Sequence, residues 1–196
     1  MALIGLSKPY AAVYANSGTT VTYSSGAVCG KAVSLDISLD DGSDNILYAD
    51  NGPAESDNQF AGGSLTLTTD DLYADVMKSF LGMEEAAITG TGMPEGAKWY
   101  KNNDNQVTPY LGFGAIAKKK VGGVIKYVAI VFQKIQFANL SQSLETQGET
   151  INWGTPEITA QIMRSDSATH DWRWISSDLA SEADAETLIK SVLNIE

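Results

Sequence analysis

Residues 31–40 alternate apolar and polar side chains without interruption. The apolar positions are Val33, Leu35, Ile37 and Leu39, and the polar positions are Ser34, Asp36, Ser38 and Asp40. Successive side chains of a β-strand point to opposite faces of a sheet, so a period of two is typical of a strand with one buried face. The pattern therefore predicts a strand whose odd-numbered residues face a core.

Several other segments carry strand signals, and together they predict a mainly β protein. They are residues 20–24, 63–69, 156–166 and 171–176. Residues 107–119 and 124–137 flank the sequence KKKVGG, which predicts a long β-hairpin with a glycine-rich turn.

One segment, TTDDLYADVMKSFLGM, has a helical period and predicts a packed α-helix over about residues 69–81. Thr68 and Asp71 have the spacing of a capping box, and Gly82 can adopt the left-handed conformation that ends a helix. The apolar stripe consists of Leu72, Val76 and Phe80, with Met77 and Leu81 beside it. We expect this stripe to pack on a sheet.

A C-terminal extension at about residues 177–196 contains a second helix signal. Ser181 and Asp184 can cap the helix at its start. The predicted apolar face consists of Leu188, Ile189, Val192 and Leu193.

Two polar stretches, at about residues 41–62 and 87–108, predict long loops. The first contains ILYADNGPAESDNQFAGG and the second is rich in glycine and asparagine. Loops of this length in a domain are usually functional or disordered. With no internal repeat and no linker sequence, residues 1–196 are predicted to form one domain with these excursions.

Charge and composition exclude some classes of protein. The formal net charge is −11, which argues against a phosphate-binding surface of clustered lysine and arginine. The single cysteine, Cys29, excludes an intrachain disulfide. The start of the chain lacks the pattern of a secretory signal, and the most apolar stretch, residues 127–132, is too short to span a bilayer, so we expect no membrane association.

Residues suited to catalysis or metal binding are sparse in the sequence. Cys29 and the single histidine, His170, do not form a recognisable nucleophile–base motif. The acidic clusters do not match the EF-hand spacing, and we expect no cofactor and no conventional metal site. An unconventional hydrolase that uses two converging carboxylates is the least favoured hypothesis.

Two tryptophans suggest an alternative function. Trp172 and Trp174 lie two positions apart in a predicted strand and would share one face. An exposed pair of this kind could stack on sugars, so a carbohydrate-binding β-sandwich module is the alternative hypothesis. The competing interpretation is that both side chains fill a core or an interface.

A series of landmarks runs along nearly the whole chain. They are IGLSKPYAAVY, VTYSSGAVCGKAVSLDIS, ILYADNGPAE, FAGGSLTLTTDDL, FLGM, VTPYLGFGAI, FQKIQFANLSQSLETQGETINWGTPEITAQI, DWRW and EADAETLI. In order and spacing this series resembles the major tail protein, the tail tube subunit, of long-tailed non-contractile phages and prophages of Gram-positive bacteria.

The resemblance implies a fold and a structural role. It implies an antiparallel β-sandwich or barrel-like domain with one packed helix, and homo-hexameric rings that stack into a tube. The implied partners are tape-measure, tail terminator and distal tail proteins. DNA would pass through the lumen without specific binding, in a virion tail assembled in the host cytoplasm.

On this hypothesis the long polar loop and the hairpin turn are candidate inter-subunit contacts. Those residues are Tyr48, Asp50, Asn51, Glu55, Asp57, Asn58, Phe60, Lys118, Lys119 and Lys120. The apolar ends of the loop can anchor it, and its polar middle can lie across a neighbouring subunit. Deleting residues 50–58 is expected to leave the monomer folded but to impair stacking.

Overall fold

The alternating segments pair as antiparallel strands in a computed structural model of the protein. It describes residues 2–41, 45–57, 59–140, 146 and 153–196. The strands are β1 (Ala2–Ser17), β2 (Thr20–Val28), β3 (Ala32–Asp41), β4 (Asn45–Ala49), β5 (Gly52–Asp57), β6 (Phe60–Thr69), β7 (Glu84–Ala87), β8 (Lys98–Lys101), β9 (Tyr110–Val121), β10 (Val124–Phe137), β11 (Glu157–Met163) and β12 (Arg173–Ile175). A π-helix covers Val76–Phe80, and helix α1 covers Glu182–Leu193.

One large sheet forms the body of the described part of the chain. Its strand order is β2-β1-β9-β10-β11-β6-β3, and β12 pairs with β10 beside β11. Every pairing in it is antiparallel. The sheet curls, because β3 at one end contacts β1 near the other. The prediction of a mainly β antiparallel fold with a C-terminal helix is thus confirmed.

The inner core lies inside the curl of the sheet. Alternate residues of β6 and β11 point into it, including Leu65 and Ile158. Phe113 of β9 and Phe132 of β10 are fully buried in it from the other side. The period-two pattern of β6 and β11 therefore corresponds to the face that lines this inner core.

The helix predicted over residues 69–81 is shorter than expected. Residues 74 and 75 are helical, and the π-helix Val76–Phe80 follows. The capping box is wrong, because Thr68 lies inside β6 and its hydroxyl accepts a hydrogen bond from Ser34 Oγ at 3.1 Å. Asp70 Oδ1 likewise accepts a hydrogen bond from outside the segment, from the Lys31 amide at 2.7 Å. Strand pairing with β3 thus overrides the local helix signal.

The apolar stripe of the same segment is nevertheless buried as predicted. Leu72, Val76 and Phe80 join the inner core, and Leu81 is fully buried beside them. Gly82 has φ +66°, the left-handed conformation expected where the helix ends. A side chain at Gly82 would also collide with the Val107 carbonyl oxygen.

Helix α1 forms inside the predicted C-terminal extension and is capped as predicted. Ser181 Oγ accepts a hydrogen bond from the Asp184 amide at 3.1 Å. The buried face differs from the prediction, because Ala185, Ile189 and Leu193 face the sheet while Leu188 is exposed. The helix is rotated so that Leu188 lies at the margin of the contact.

Glycines in the sheet make room for α1. A Cβ at Gly114 would lie 2.6 Å from Ile189 Cγ2, and one at Gly112 would lie 2.6 Å from Leu193 Cδ2. These distances are too short for carbon atoms, so only glycine allows the helix to approach this closely. β9 is consequently buried on both faces.

Polar contacts also hold α1 in place. The Glu186 carboxylate forms an ion pair with Lys8 and accepts a hydrogen bond from Tyr10 Oη at 2.5 Å. Both hydrogen bonds lower the pKa of Glu186, and the bond from Lys8 has the larger effect. No helix in the described residues is long and apolar enough to cross a bilayer.

Candidate inter-subunit surfaces

The first predicted loop, residues 41–62, contains a β-hairpin instead. β4 and β5 pair only with each other in the described part of the chain. Asp50 and Asn51 form the turn with φ of +50° and +64°. A two-residue turn with both φ values positive is the type I′ turn that Asp, Asn and Gly favour, so the sequence ADNG carried the signal.

The other candidate contacts of this stretch divide between hairpin and core. Tyr48, Glu55 and Asp57 belong to the paired strands, but their side chains lie outside the described residues, as does all of Asn58. Phe60 begins β6, and its ring stacks on Trp172 with a centroid distance of 4.1 Å. Phe60 therefore anchors the hairpin to the body of the protein.

The second predicted loop, residues 87–108, is also partly strand. β7 and β8 form a separate two-stranded sheet with Ala86 opposite Trp99. The predicted excursion starts inside β7, and the connecting residues 88–97 lie between the two strands.

The β9–β10 hairpin ends in an exposed tip with apolar and basic residues. Gly122 and Gly123 make the predicted turn, with φ of +56° and +85°. Val121, Val124 and Ile125 are exposed large apolar residues beside it. A cluster of exposed apolar side chains of this kind is a candidate contact with another protein.

The three lysines of this hairpin are not equivalent. Lys120 is exposed, and Lys118 is half-buried with its stem over Gly5. Lys119 is only 5% exposed and forms an ion pair with Asp178. Lys119 thus stabilises the protomer, and Lys120 is the most accessible of the three for a neighbour.

The edge strand β3 carries apolar side chains that the described part of the chain covers incompletely. Leu35 and Leu39 pack against the inner core. Val33 and Ile37, predicted to share their buried face, are 56% and 37% exposed. The sequence pattern of β3 is therefore that of a buried strand at a position where the described chain provides no full cover.

The predicted tryptophan pair does not form a shared platform. Trp172 precedes β12, stacks on Phe60 and packs against the inner core. Trp174 lies opposite Val131 of β10 on the side of α1, and its side chain is 47% exposed. Its indole donates a hydrogen bond to Asp171 Oδ2 at 3.1 Å.

A cavity of about 630 Å³ lies between β2, α1 and Trp174. Its lining includes Val21, Gln133, Asp171 and Val192. Gln133 is 5% exposed, and its Nε2 is a buried side-chain nitrogen without a hydrogen-bond partner among the described residues. Apart from Trp174, sequence reasoning missed these residues, because they come from separate elements and share no motif.

A polar cluster holds the β11–β12 connection that forms one wall of this cavity. Asp166 Oδ2 accepts hydrogen bonds from Lys134 Nζ and Tyr14 Oη, each at 2.7 Å. Both hydrogen bonds lower the pKa of Asp166, and the bond from Lys134 has the larger effect. Burial, more than the contact with Asp166, raises the pKa of Tyr14 to about 12.

The residues considered for catalysis do not converge. Cys29 is fully buried, and burial raises its pKa to about 12, so its thiol is neutral at pH 7. His170 Nδ1 lies 3.1 Å from the Ser165 carbonyl oxygen in the β11–β12 connection. Glu85 pairs with Lys98 at 2.6 Å on the surface. Within the described ranges, no group of three or more acidic, histidine or cysteine side chains is arranged to hold a metal ion.

Comparisons with known proteins do not assign the chain to a family. No protein-family model matches it, and no curated protein matches it. A functional proposal therefore rests on the surfaces described above and on the resemblance along the sequence.

Proposed function

We propose that this protein is a structural subunit that assembles with copies of itself into stacked rings, forming a tail tube like that of long-tailed phages. The observation that carries this proposal is the exposure of Val33 and Ile37 on β3, at the edge of the main sheet. An open edge with exposed β-branched residues is a template for pairing with another chain. Closure into a ring removes such edges.

Covering the exposed side chains of β3 would favour association. Covering Val33 and Ile37 at an interface would contribute roughly 1–2 kcal/mol per side chain, since both are already partly buried. A ring repeats the contact in each copy, so modest contributions add up. The resemblance supplies the ring number of six and the implied tape-measure, terminator and distal tail partners.

The charge of the protein suits a tube that carries DNA. A net charge of −11 provides little attraction for phosphate. DNA would then pass without specific binding, as the resemblance implies.

The carbohydrate-binding alternative loses the paired platform on which it rested. Trp172 is stacked on Phe60, so of this pair only Trp174 is an exposed residue. A glycan array with the wild-type protein and Trp174→Ala tests this alternative directly. Binding that disappears in the variant would favour it over the tube.

Negative-stain electron microscopy of the concentrated protein tests the tube. We expect rings or tubes from the wild-type protein and none from Ile37→Asp, because a carboxylate at the interface would be desolvated. Val107→Asp is the matched control, since Val107 is an exposed valine outside β3. Wild-type protein that remains monomeric up to its solubility limit would overturn the proposal.

A further inference from the structure

We propose that the β9–β10 hairpin tip of one copy docks in the cavity beside Trp174 of the next copy, in a head-to-tail contact. The tip is defined by Lys120, Val121, Val124 and Ile125. The proposal rests on the proposed function, because it specifies how one ring would meet the next.

The cavity has the chemistry to receive a basic residue. Asp171 and Trp174 line it together, and the carboxylate already orients the indole through their hydrogen bond. A carboxylate beside an aromatic face suits an ammonium group, through charge and through the cation–π attraction. None of the described residues that line the cavity is basic.

The same region also has an apolar part. A second cavity of about 230 Å³ shares Trp174 and Val192 with the first and is also lined by Ile175 and Leu188. Both of these side chains are exposed apolar groups. The tip offers matching partners in Val121, Val124 and Ile125, next to Lys120.

The tip and Trp174 lie at separate positions along the sheet. Along β10, Ile125 of the tip pairs with Lys120, whereas Val131 pairs with Trp174. At about 3.3 Å per strand residue, these two positions are roughly 20 Å apart. Because the tip continues two paired strands, it cannot fold back onto its own cavity.

A contact between two different surfaces is heterologous, and it does not close on itself when copies are related by translation along the stack. It builds a line of copies, which is the geometry that stacked rings require. A single tip contact is small, but each ring would provide several in parallel.

Charge reversal is the first part of the test. Lys120→Glu and Asp171→Lys are each expected to raise the critical concentration for polymerisation about tenfold, and the double variant is expected to restore it. Lys101→Glu and Asp104→Lys are the matched controls, since both residues are exposed in another part of the protein. Circular dichroism establishes that each variant is folded.

Cysteine cross-linking is the second part of the test, and it does not depend on a change in the critical concentration. Lys120→Cys combined with Asp171→Cys is expected to give a disulfide ladder of many copies, while each single variant gives none. Cys29 does not interfere, because it is buried. A disulfide-linked dimer from Lys120→Cys alone would indicate tip-to-tip contact and overturn the inference.

The outcomes separate this inference from the proposed function. Wild-type tubes that persist in both single charge variants, with no ladder from the cysteine pair, overturn the docking contact and leave the tube intact. Wild-type protein that never assembles overturns both.

Discussion

Helix α1 and strand β3 both carry apolar side chains, but within the described part of the chain only those of α1 include a fully buried row. Ile189 and Leu193 of α1 are fully buried against a glycine-lined part of the sheet. Val33 and Ile37 of β3 remain exposed at an edge. The contrast shows that an apolar pattern specifies that a face will be covered, without specifying whether the same chain or another copy covers it.

The largest expected difference is between truncations on the two elements. Ile189→Ala should lower the free energy of unfolding by about 3 kcal/mol, because it leaves a cavity in a closed core. Ile37→Ala should lower it by only about 1 kcal/mol, because its side chain is partly exposed and its loss leaves no closed cavity. Urea denaturation of dilute protein measures both, and equal losses would contradict the comparison.

A somewhat smaller effect is expected from filling the glycine-lined contact. Gly114→Val should destabilise the protein by about 2 kcal/mol, because its Cβ would lie 2.6 Å from Ile189 Cγ2. Gly5→Val is the matched control, since a Cβ there lies 3.5 Å from the Lys118 side chain. Thermal unfolding of the pair measures the difference, and a fully stable Gly114→Val would show that α1 does not need this glycine.

The ion pair of α1 should contribute a pH-dependent part of stability. Since the pKa of Glu186 is lowered in the folded protein, its contribution is present above the unfolded carboxyl pKa and is lost as pH falls through the folded value. Glu186→Gln should cost about 1 kcal/mol at pH 7 and make unfolding less sensitive to pH below about 4. The free energy of unfolding is measured against pH for both proteins. Two curves with the same slope below about pH 4 would refute this contribution.

The smallest effect on folding is expected from removing the β4–β5 hairpin. Replacing residues 45–57 by a short glycine–serine linker should change monomer stability by less than about 1 kcal/mol, because in the described chain the hairpin pairs only with itself. Assembly measured by sedimentation should nevertheless be impaired. Unchanged assembly would show that the β4–β5 hairpin is not an inter-subunit contact.

Local chemistry was the part of the fold that the sequence predicted well. The Ser181 cap, the left-handed Gly82 and the hairpin turn at Gly122 and Gly123 each depend on a few neighbouring residues. The turn at Asp50 and Asn51 was equally local and was missed because its acidic surroundings suggested a loop.

Features that depend on strand order were not predictable. Thr68 and Asp70 bond to β3 and its preceding residue rather than capping a helix, because β3 and β6 pair. Val33 and Ile37 look buried in sequence, but they lie on a strand that the topology places at an edge. The cavity beside Trp174 joins residues far apart in the chain, such as Val21 and Asn194, and no spacing in the sequence reveals it.

The central claim, that another copy covers the β3 edge, is tested most directly by amide hydrogen exchange in dilute and concentrated protein. The account predicts that β3 amides not bonded to β6 exchange freely in the monomer and become protected on assembly. Amides of β9, already buried on both faces, should change little and provide the internal reference. Assembly without any added protection in β3 would contradict the claim.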